Sequence, residues 1–372
     1  MAKQDDGLHY SLTKLLSYDK TFNFVVSERE PGKSTSIWRL VYGKWKKTGR
    51  PSIALRRRQV DVSEEYIRSI EDTVNEWFDD NVELKYGSGL SQGAVLVSIN
   101  KKPFVLILAL SNPLNRIKSL TIKDPAYMIM DEFICNTRMG EKYLKDEAFR
   151  FKEIYSTFYR HCEDGHSLKC IFAGNPYSRY NPYWVDFKVP LDRVKRGGPI
   201  ITGANWAVEA YEMKPELREY IKAHNPLYQF DDTYTRYAFD GEAVNDSNII
   251  VWPKLPARYS LRYCFRYNDK LIGVYSWNPP ANQATDQAPG LIRTPMIPMW
   301  CGYLHDEGQR RSVYCFDFNQ LQDGTALVSI LDKTRFASFQ RLLGQHRVAF
   351  QDVSVDYAIE DIFDRLGSKS RR

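Results

Sequence analysis

The feature that most limits what this chain can fold into is the stretch from Phe22 to Leu40, F-N-F-V-V-S-E-R-E-P-G-K-S-T-S-I-W-R-L. A short apolar run, Phe22 to Val26, enters a loop that closes in Gly32-Lys33-Ser34-Thr35. Apolar residues at Ile37, Leu40 and Val41 follow at helical spacing, so the reading is strand, loop, helix. Backbone N–H groups at such a loop and at the helix N-terminus surround phosphate, the lysine neutralises the β- and γ-phosphates, and the next hydroxyl coordinates Mg²⁺. Gly32, Lys33, Ser34 and Thr35 are therefore candidate ligands of a nucleotide, with Ser34 also a metal ligand. The spacing fits G-x-x-x-x-G-K-[ST] with Ser27 where the first glycine should stand, a residue with less backbone freedom. The competing reading is a basic surface turn capped by Ser34.

At 372 residues the chain has length for two domains of ordinary size, and 43% hydrophobic residues exclude a disordered chain. No apolar run reaches the ~18 residues of a membrane helix, the longest candidate being Pro103 to Leu110. The opening M-A-K-Q-D-D lacks the apolar core of a signal peptide, so a cytoplasmic protein with no membrane partner is expected. Cysteines at 135, 162, 170, 264, 301 and 315 show no C-x-x-C spacing and read as buried free thiols. The net charge of +6 is concentrated in Lys44 to Lys47 and Arg56 to Arg58, as a polyanionic partner would require.

Along the chain, Leu8, Leu12, Leu15 and Leu16 suggest a short amphipathic helix before the first strand. Ser52 to Leu55 reads as a strand running into Arg56-Arg57-Arg58, which would hold DNA phosphates or the nucleotide, or form a solvated cluster. Ser63 to Phe78 places Tyr66, Ile67, Ile70, Val74, Trp77 and Phe78 on one helical face, expected to face the core. Ala94 to Ile99 and Phe104 to Ala109 form a hairpin, and the basic loop after it offers Arg116 and Lys118 to a ligand. Tyr127-Met-Ile-Met-Asp131-Glu132, about 100 residues beyond the glycine-lysine pair, is a buried strand ending in two acids. In phosphoryl transfer the first would hold Mg²⁺ and the second polarise the attacking water. A helix from Tyr143 to Arg160 and a strand from Lys169 to Ala173 follow, and Asn175 at the strand tip either senses the γ-phosphate or belongs to a simple Asn-Pro turn.

Residues 207–257 read as an irregular linker or lid between a domain at 1–206 and another at 258–372. In the last, Asn268-Asp269-Lys270 sits between two alternating runs as a hairpin, and Ser312 to Phe318 with Ala326 to Leu331 reads as a second hairpin across Gln322-Asp323-Gly324. Helices are expected over Thr334 to Leu343 and Val355 to Leu366, making an α+β domain with a basic tail at 367–372.

With S-E-R-E-P-G-K-S-T, Y-M-I-M-D-E-F and I-F-A-G-N-P in this order, the chain resembles the large terminase-type DNA-packaging ATPases of tailed phages, most of all the compact motors of short-tailed phages of the phi29 type. The resemblance implies an α/β P-loop NTPase domain of the additional-strand (ASCE) type. It also implies a C-terminal α+β domain of the RNase H type at 258–372. Such proteins act as a ring, usually a pentamer, that moves double-stranded DNA into a procapsid. ATP and Mg²⁺ would be the cofactors and the portal or connector a partner, with a packaging RNA as a further one; the protein would sit in the host cytoplasm and at the portal vertex. Carried over, Lys33 would bind the β/γ-phosphates, Ser34 and Asp131 the metal, and Glu132 the attacking water. Arg29 would be the loop's extra basic residue, Asn175 the coupling residue, and Arg160, or else Arg150, the finger reaching a neighbouring subunit. Arg56 and Lys118 would face DNA. A nuclease of this type needs carboxylates, one on its first strand, yet Tyr259 to Tyr267 has none, leaving Asp317, Asp352 and Asp356. The expected domain has therefore lost cleavage and serves docking; the alternatives are a full terminase with an active nuclease and a non-hydrolysing nucleotide-binding scaffold.

Overall fold

A computed structural model of the chain describes residues 7–136, 139–178, 181–190, 193–229, 235, 239, 249–267, 270–277, 297–304, 312–315, 325–327 and 335–368. They belong to two compact units, Met1–Asn245 and Asp246–Arg372. The first is built on nine strands: β1 (Phe22–Val26), β2 (Ser52–Arg56), β3 (Lys85–Tyr86), β4 (Ala94–Ile99), β5 (Lys102–Ala109), β6 (Tyr127–Asp131), β7 (Lys169–Gly174), β8 (Ile201–Thr202) and β9 (Trp206–Ala210). Their spatial order is β3-β4-β5-β2-β6-β7-β1-β9-β8. Strands β5, β2, β6, β7, β1 and β9 run parallel, and the flanking β3, β4 and β8 pair antiparallel. The helices are α1 (Thr13–Leu16), α2 (Lys33–Thr48), α3 (Glu64–Phe78), α4 (Leu114–Lys118), α5 (Glu147–Tyr159), α6 (Pro182–Asp186) and α7 (Pro215–His224).

The near-continuous apolar strands are explained by burial on both faces. Because side chains alternate, Phe24, Met128, Met130 and Phe172 enter one core with Phe151, Ile154 and Phe158 of α5, while Val25, Ile129 and Ile171 enter the other with Ile37, Trp38 and Val41 of α2. The hairpin of β4 and β5 turns through Asn100 and Lys101 at φ 49° and 65°, the two left-handed residues that the twist of such a hairpin favours. Ser63 caps α3, its hydroxyl accepting the Tyr66 N–H at 3.3 Å. Strand β7 lies between β1 and β6, so the chain segment ending in Gly174-Asn175 is inserted between the phosphate-loop strand and the acidic strand.

Three expectations are corrected. The N-terminal helix is confined to α1, because Tyr10 and Leu12 hydrogen-bond instead to Pro31 and Ser36. The stretch assigned to a linker from residue 207 begins inside the sheet: Ala207 and Val208 of β9 are buried and paired with β1, and the division between units falls at Asn245. Glu209 hid this strand, since a charge in so short an apolar run argues against one; its carboxylate accepts the buried Tyr10 hydroxyl at 2.9 Å. The third concerns the second unit.

That unit has a seven-stranded sheet of β10 (Ile250–Val251), β11 (Ser260–Tyr267), β12 (Lys270–Ser276), β13 (Met299–Tyr303), β14 (Val313–Cys315), β15 (Thr325–Leu327) and β16 (Val348–Phe350), in the order β10-β16-β13-β12-β11-β14-β15. Helices α8 (Ala337–Gly344) and α9 (Val353–Ser368) follow. β11, β12 and β13 pair antiparallel, β14 pairs parallel to β11, and β15 pairs parallel to β14. The second expected hairpin is therefore a crossover that brings the chain back in the same direction. Residues 268–269 and 316–324, with Asp317, lie outside the described residues, as does the tail from 369. Asp352 caps α9, accepting the N–H groups of Ser354 at 2.8 Å and Val355 at 3.2 Å, and Asp356 lies in its first turn.

The stacked pair Phe24 and Phe172, centroids 4.4 Å apart and fully buried, ties β1 to β7. Phe172→Ala is expected to destabilise the first unit by about 3–5 kcal/mol in urea unfolding, whereas Val60→Ala, at an exposed position, should cost less than about 0.5 kcal/mol.

Candidate nucleotide site

Strand β1 delivers Ser27 to the sheet edge, where its N–H donates to the Gly174 carbonyl at 3.2 Å. Gly174 leaves room for the Phe133 ring, from which a Cβ there would stand 3.0 Å. Left-handed backbone in the loop falls on Glu30, φ 70°, and Gly32, φ 93°, and not on Ser27, so serine is accommodated without strain. Gly32 is the N-cap of α2, with Ser34 exposed and Thr35 half-buried in the first turn.

Lys33 is almost wholly buried and folds back into the loop. Its Nζ donates to Glu28 O at 2.6 Å, Ser27 Oγ at 3.0 Å, Ser27 O at 3.1 Å and Asn175 Oδ1 at 3.0 Å. Burial lowers the ammonium from its usual 10.5 to about 8, opposed by the Asp131 and Glu28 carboxylates and assisted by the Arg29 charge. Asn175 thus meets the loop lysine, and Tyr177 accepts from Arg29 Nη2 at 2.9 Å. Ser34 Oγ donates to Asp131 Oδ2 at 2.7 Å, joining the hydroxyl and carboxylate that sequence reading paired around a metal.

Glu132, next to Asp131, has φ 59° and a side chain 63% exposed. Arg56 Nη2 stands 3.3 Å from its Oε2, and the Arg56 guanidinium lies 4.5 Å from the Tyr66 ring centre. Only 17% of the Arg56 side chain, expected to face DNA, is exposed, and within this chain it meets Glu132 and Tyr66. Arg57, one residue on, faces the other way by strand alternation, onto the wholly buried Glu147. Period-two alternation was the signal available in the arginine run, which reads as one cluster until its residues are separated by face.

A second arrangement was missed. The buried carboxylate of Glu28, inside the phosphate loop, pairs with Arg196 and, at 3.4 Å, with Arg218 of α7. Glu30 accepts the Tyr228 hydroxyl at 2.7 Å. Arg196, ahead of β8, and Arg218 and Tyr228, beyond β9, therefore hold the loop by its two glutamates. Two expected residues lie elsewhere: Arg160, at the end of α5 roughly 20 Å of helix from Glu147, donates to Ser156 O, and Arg150 holds the Leu110 and Asn112 carbonyls. Lys118 is exposed on α4 and pairs with Glu153 at 3.0 Å.

The chain is similar to DNA packaging proteins of Bacillus phages. The DNA packaging protein of Bacillus phage phi29 is 26% identical over 276 residues, 73% of this chain and 76% of that protein. The DNA packaging protein of Bacillus phage B103 is 23% identical over 320 residues, 85% of this chain and 87% of that one. Among solved structures, a chain of the bacteriophage Phi-29 viral genome packaging motor assembly superposes with a TM-score of 0.63 at 20% identity, over 96% of this chain and 99% of that chain. The Phi-28 gp11 DNA packaging motor gives 0.66 at 15% identity, over 97% and 98%. Residues 4–284, well over half the chain, match the sequence profile of the podovirus DNA encapsidation proteins (Gp16), and the chain belongs to that family.

Proposed function

We propose that this protein hydrolyses ATP to drive double-stranded viral DNA into a procapsid, as one subunit of a homo-oligomeric ring, a pentamer by the family's usual number, at the portal. The observation that carries the reading is the meeting of Lys33, the Ser34–Asp131 pair and Glu132 at one sheet edge. Lys33 has four oxygen partners to exchange for β- and γ-phosphate oxygens. A hydroxyl and a carboxylate suit Mg²⁺, which takes few protein oxygens and keeps its waters, and the ion would neutralise phosphate charge there. Glu132 is the general base for water, and its pairing with Arg56 withholds it until that pair opens.

Asn175 relays loop occupancy to β7, and Arg29 supports the same loop through Tyr177. Arg160 lies far along α5 from its own site, which favours a role toward a neighbouring subunit; Lys118 is an exposed cation for DNA phosphates. The second unit's order β13-β12-β11-β14-β15, with three antiparallel strands and two added in parallel, supports descent from an RNase H-type nuclease. Its first long strand, β11, has no acid, which favours docking, to the portal or a packaging RNA, over cleavage. The first unit, Met1–Asn245, would then be the motor domain and the second, Asp246–Arg372, the docking domain.

Steady-state hydrolysis with and without double-stranded DNA tests this directly. DNA should raise wild-type turnover, and Glu132→Gln should bind ATP yet turn over at least about 100-fold more slowly; equal rates would sink the reading. Arg56→Ala should raise DNA-independent turnover severalfold and shrink the stimulation by DNA. For Lys33, bound phosphate raises a pKa that is about 8 in the free protein, so binding takes up a proton above that pH. ATP affinity, by titration calorimetry, should be flat below pH 7.5 and weaken above 8, by up to about tenfold per pH unit.

A further inference from the structure

We propose that Arg57 is a positioning residue for hydrolysis, fixing the backbone that carries Glu132, with Glu147 and Tyr183 holding it from behind. The inference rests on the reading of Glu132 as the base and adds to it the group that sets where that base stands. Glu132 is a non-glycine residue with φ 59°, a conformation that persists only where its surroundings impose it. Both flanking peptide groups are tied down. Its N–H donates to Asp131 Oδ1 at 3.1 Å, and its carbonyl accepts from Arg57 Nη1 at 3.1 Å and Nη2 at 3.2 Å. The next carbonyl, of Phe133, accepts from Arg57 Nη2 at 2.9 Å, and the Phe133 N–H donates to Ala173 O at 3.1 Å. One guanidinium thus links the acidic strand's last turn to the end of β2.

Arg57 is itself given no choice of position. Its Nε faces both oxygens of Glu147, at 3.1 and 3.0 Å, and the Glu147 side chain is wholly buried. The same carboxylate accepts the buried Tyr183 hydroxyl at 2.9 Å and the Leu144 N–H at 2.7 Å. A buried ion pair is a weak source of net stability, but a fully hydrogen-bonded one defines a geometry sharply. That geometry is spent on two carbonyls beside Glu132. Lysine keeps the charge and loses the planar fork that reaches both carbonyls and Glu147 at once. Displacing a base by a fraction of an ångström affects the chemical step and leaves Lys33 and the Ser34–Asp131 pair in place.

The test measures kcat at saturating ATP and DNA, ATP Kd, and urea unfolding for Arg57→Lys, Tyr183→Phe, Glu132→Gln and the double variant Arg57→Lys/Glu132→Gln. Arg57→Lys is expected to lower kcat about 10- to 100-fold with Kd within about twofold. The double variant should be no slower than Glu132→Gln alone, because a group that acts through Glu132 has nothing left to position. A kcat loss that recurs in the Glu132→Gln background, or a Kd that rises in step with it, would show a general structural role and overturn the proposal. Should Arg57→Lys fail to fold, Tyr183→Phe, which removes one hydroxyl, is expected to lower kcat about threefold or more; unchanged kcat there overturns the proposal. If Glu132→Gln itself hydrolyses like the wild type, the base reading falls first and the proposal with it, a result distinct from loss of the Arg57 effect alone.

Discussion

The site depends on the pairing of β7 between β1 and β6. In register, Val26 faces Gly174 and Asp131 faces Ala173, so the phosphate loop, the Asn175 tip and the two acids leave the sheet at one level. Parallel strands end together at their carboxyl edge, which is where ligands gather in such sheets. The cost of this arrangement is a middle strand without access to solvent, met by Cys170, Ile171, Phe172 and Ala173, all fully buried. Removing the stack between Phe24 and Phe172 would loosen the register on which every contact of Lys33 and Asp131 relies.

On that frame the site is organised by buried charge. Lys33 stands among carbonyl oxygens, Glu28 between two arginines and Arg57 against Glu147. Each of these ions is withdrawn from water and held by several hydrogen bonds, as burial demands. Mobile charge is left at the surface, where Glu132 and Arg56 meet at 3.3 Å beside solvent. The groups that define the geometry are buried, and the Arg56–Glu132 pair is exposed on its carboxylate side. The grip of Arg196, Arg218 and Tyr228 on the two loop glutamates extends the same logic, joining nucleotide contacts to the segment that leaves the sheet.

Much of this was legible in the residues. The strand, loop and helix at Phe22 to Leu40, the acidic strand at Asp131 and the hairpin at Asn100 follow from local apolar period and turn chemistry, which are properties of short windows. That Ser34, Asp131 and Asn175 come from neighbouring strand tips was expected, whereas the direct hydrogen bond from Lys33 to Asn175 was not. Nonlocal features were not legible. Strand β9 was lost to a buried Glu209 whose partner, Tyr10, lies far away in sequence, and the parallel pairing of β14 with β15 has no signature distinguishing it from a hairpin in so short a run. The partners of Glu28 and Arg57 lie 168 and 90 residues away, so only the fold reveals that these charges are buried and paired. Arg56 belongs with them, since its contact with Glu132 depends on which face of β2 it leaves.

The measurement that bears most directly on the central claim is equilibrium binding of a fluorescent ATP analogue, with Mg²⁺, to the wild type and to Lys33→Ala. Binding by the wild type and its loss in the variant, with both proteins unfolding at similar urea concentrations, is the expected result. Equal binding by the two, or none by the wild type, would contradict the assignment of the Ser27 to Thr35 loop as the phosphate site.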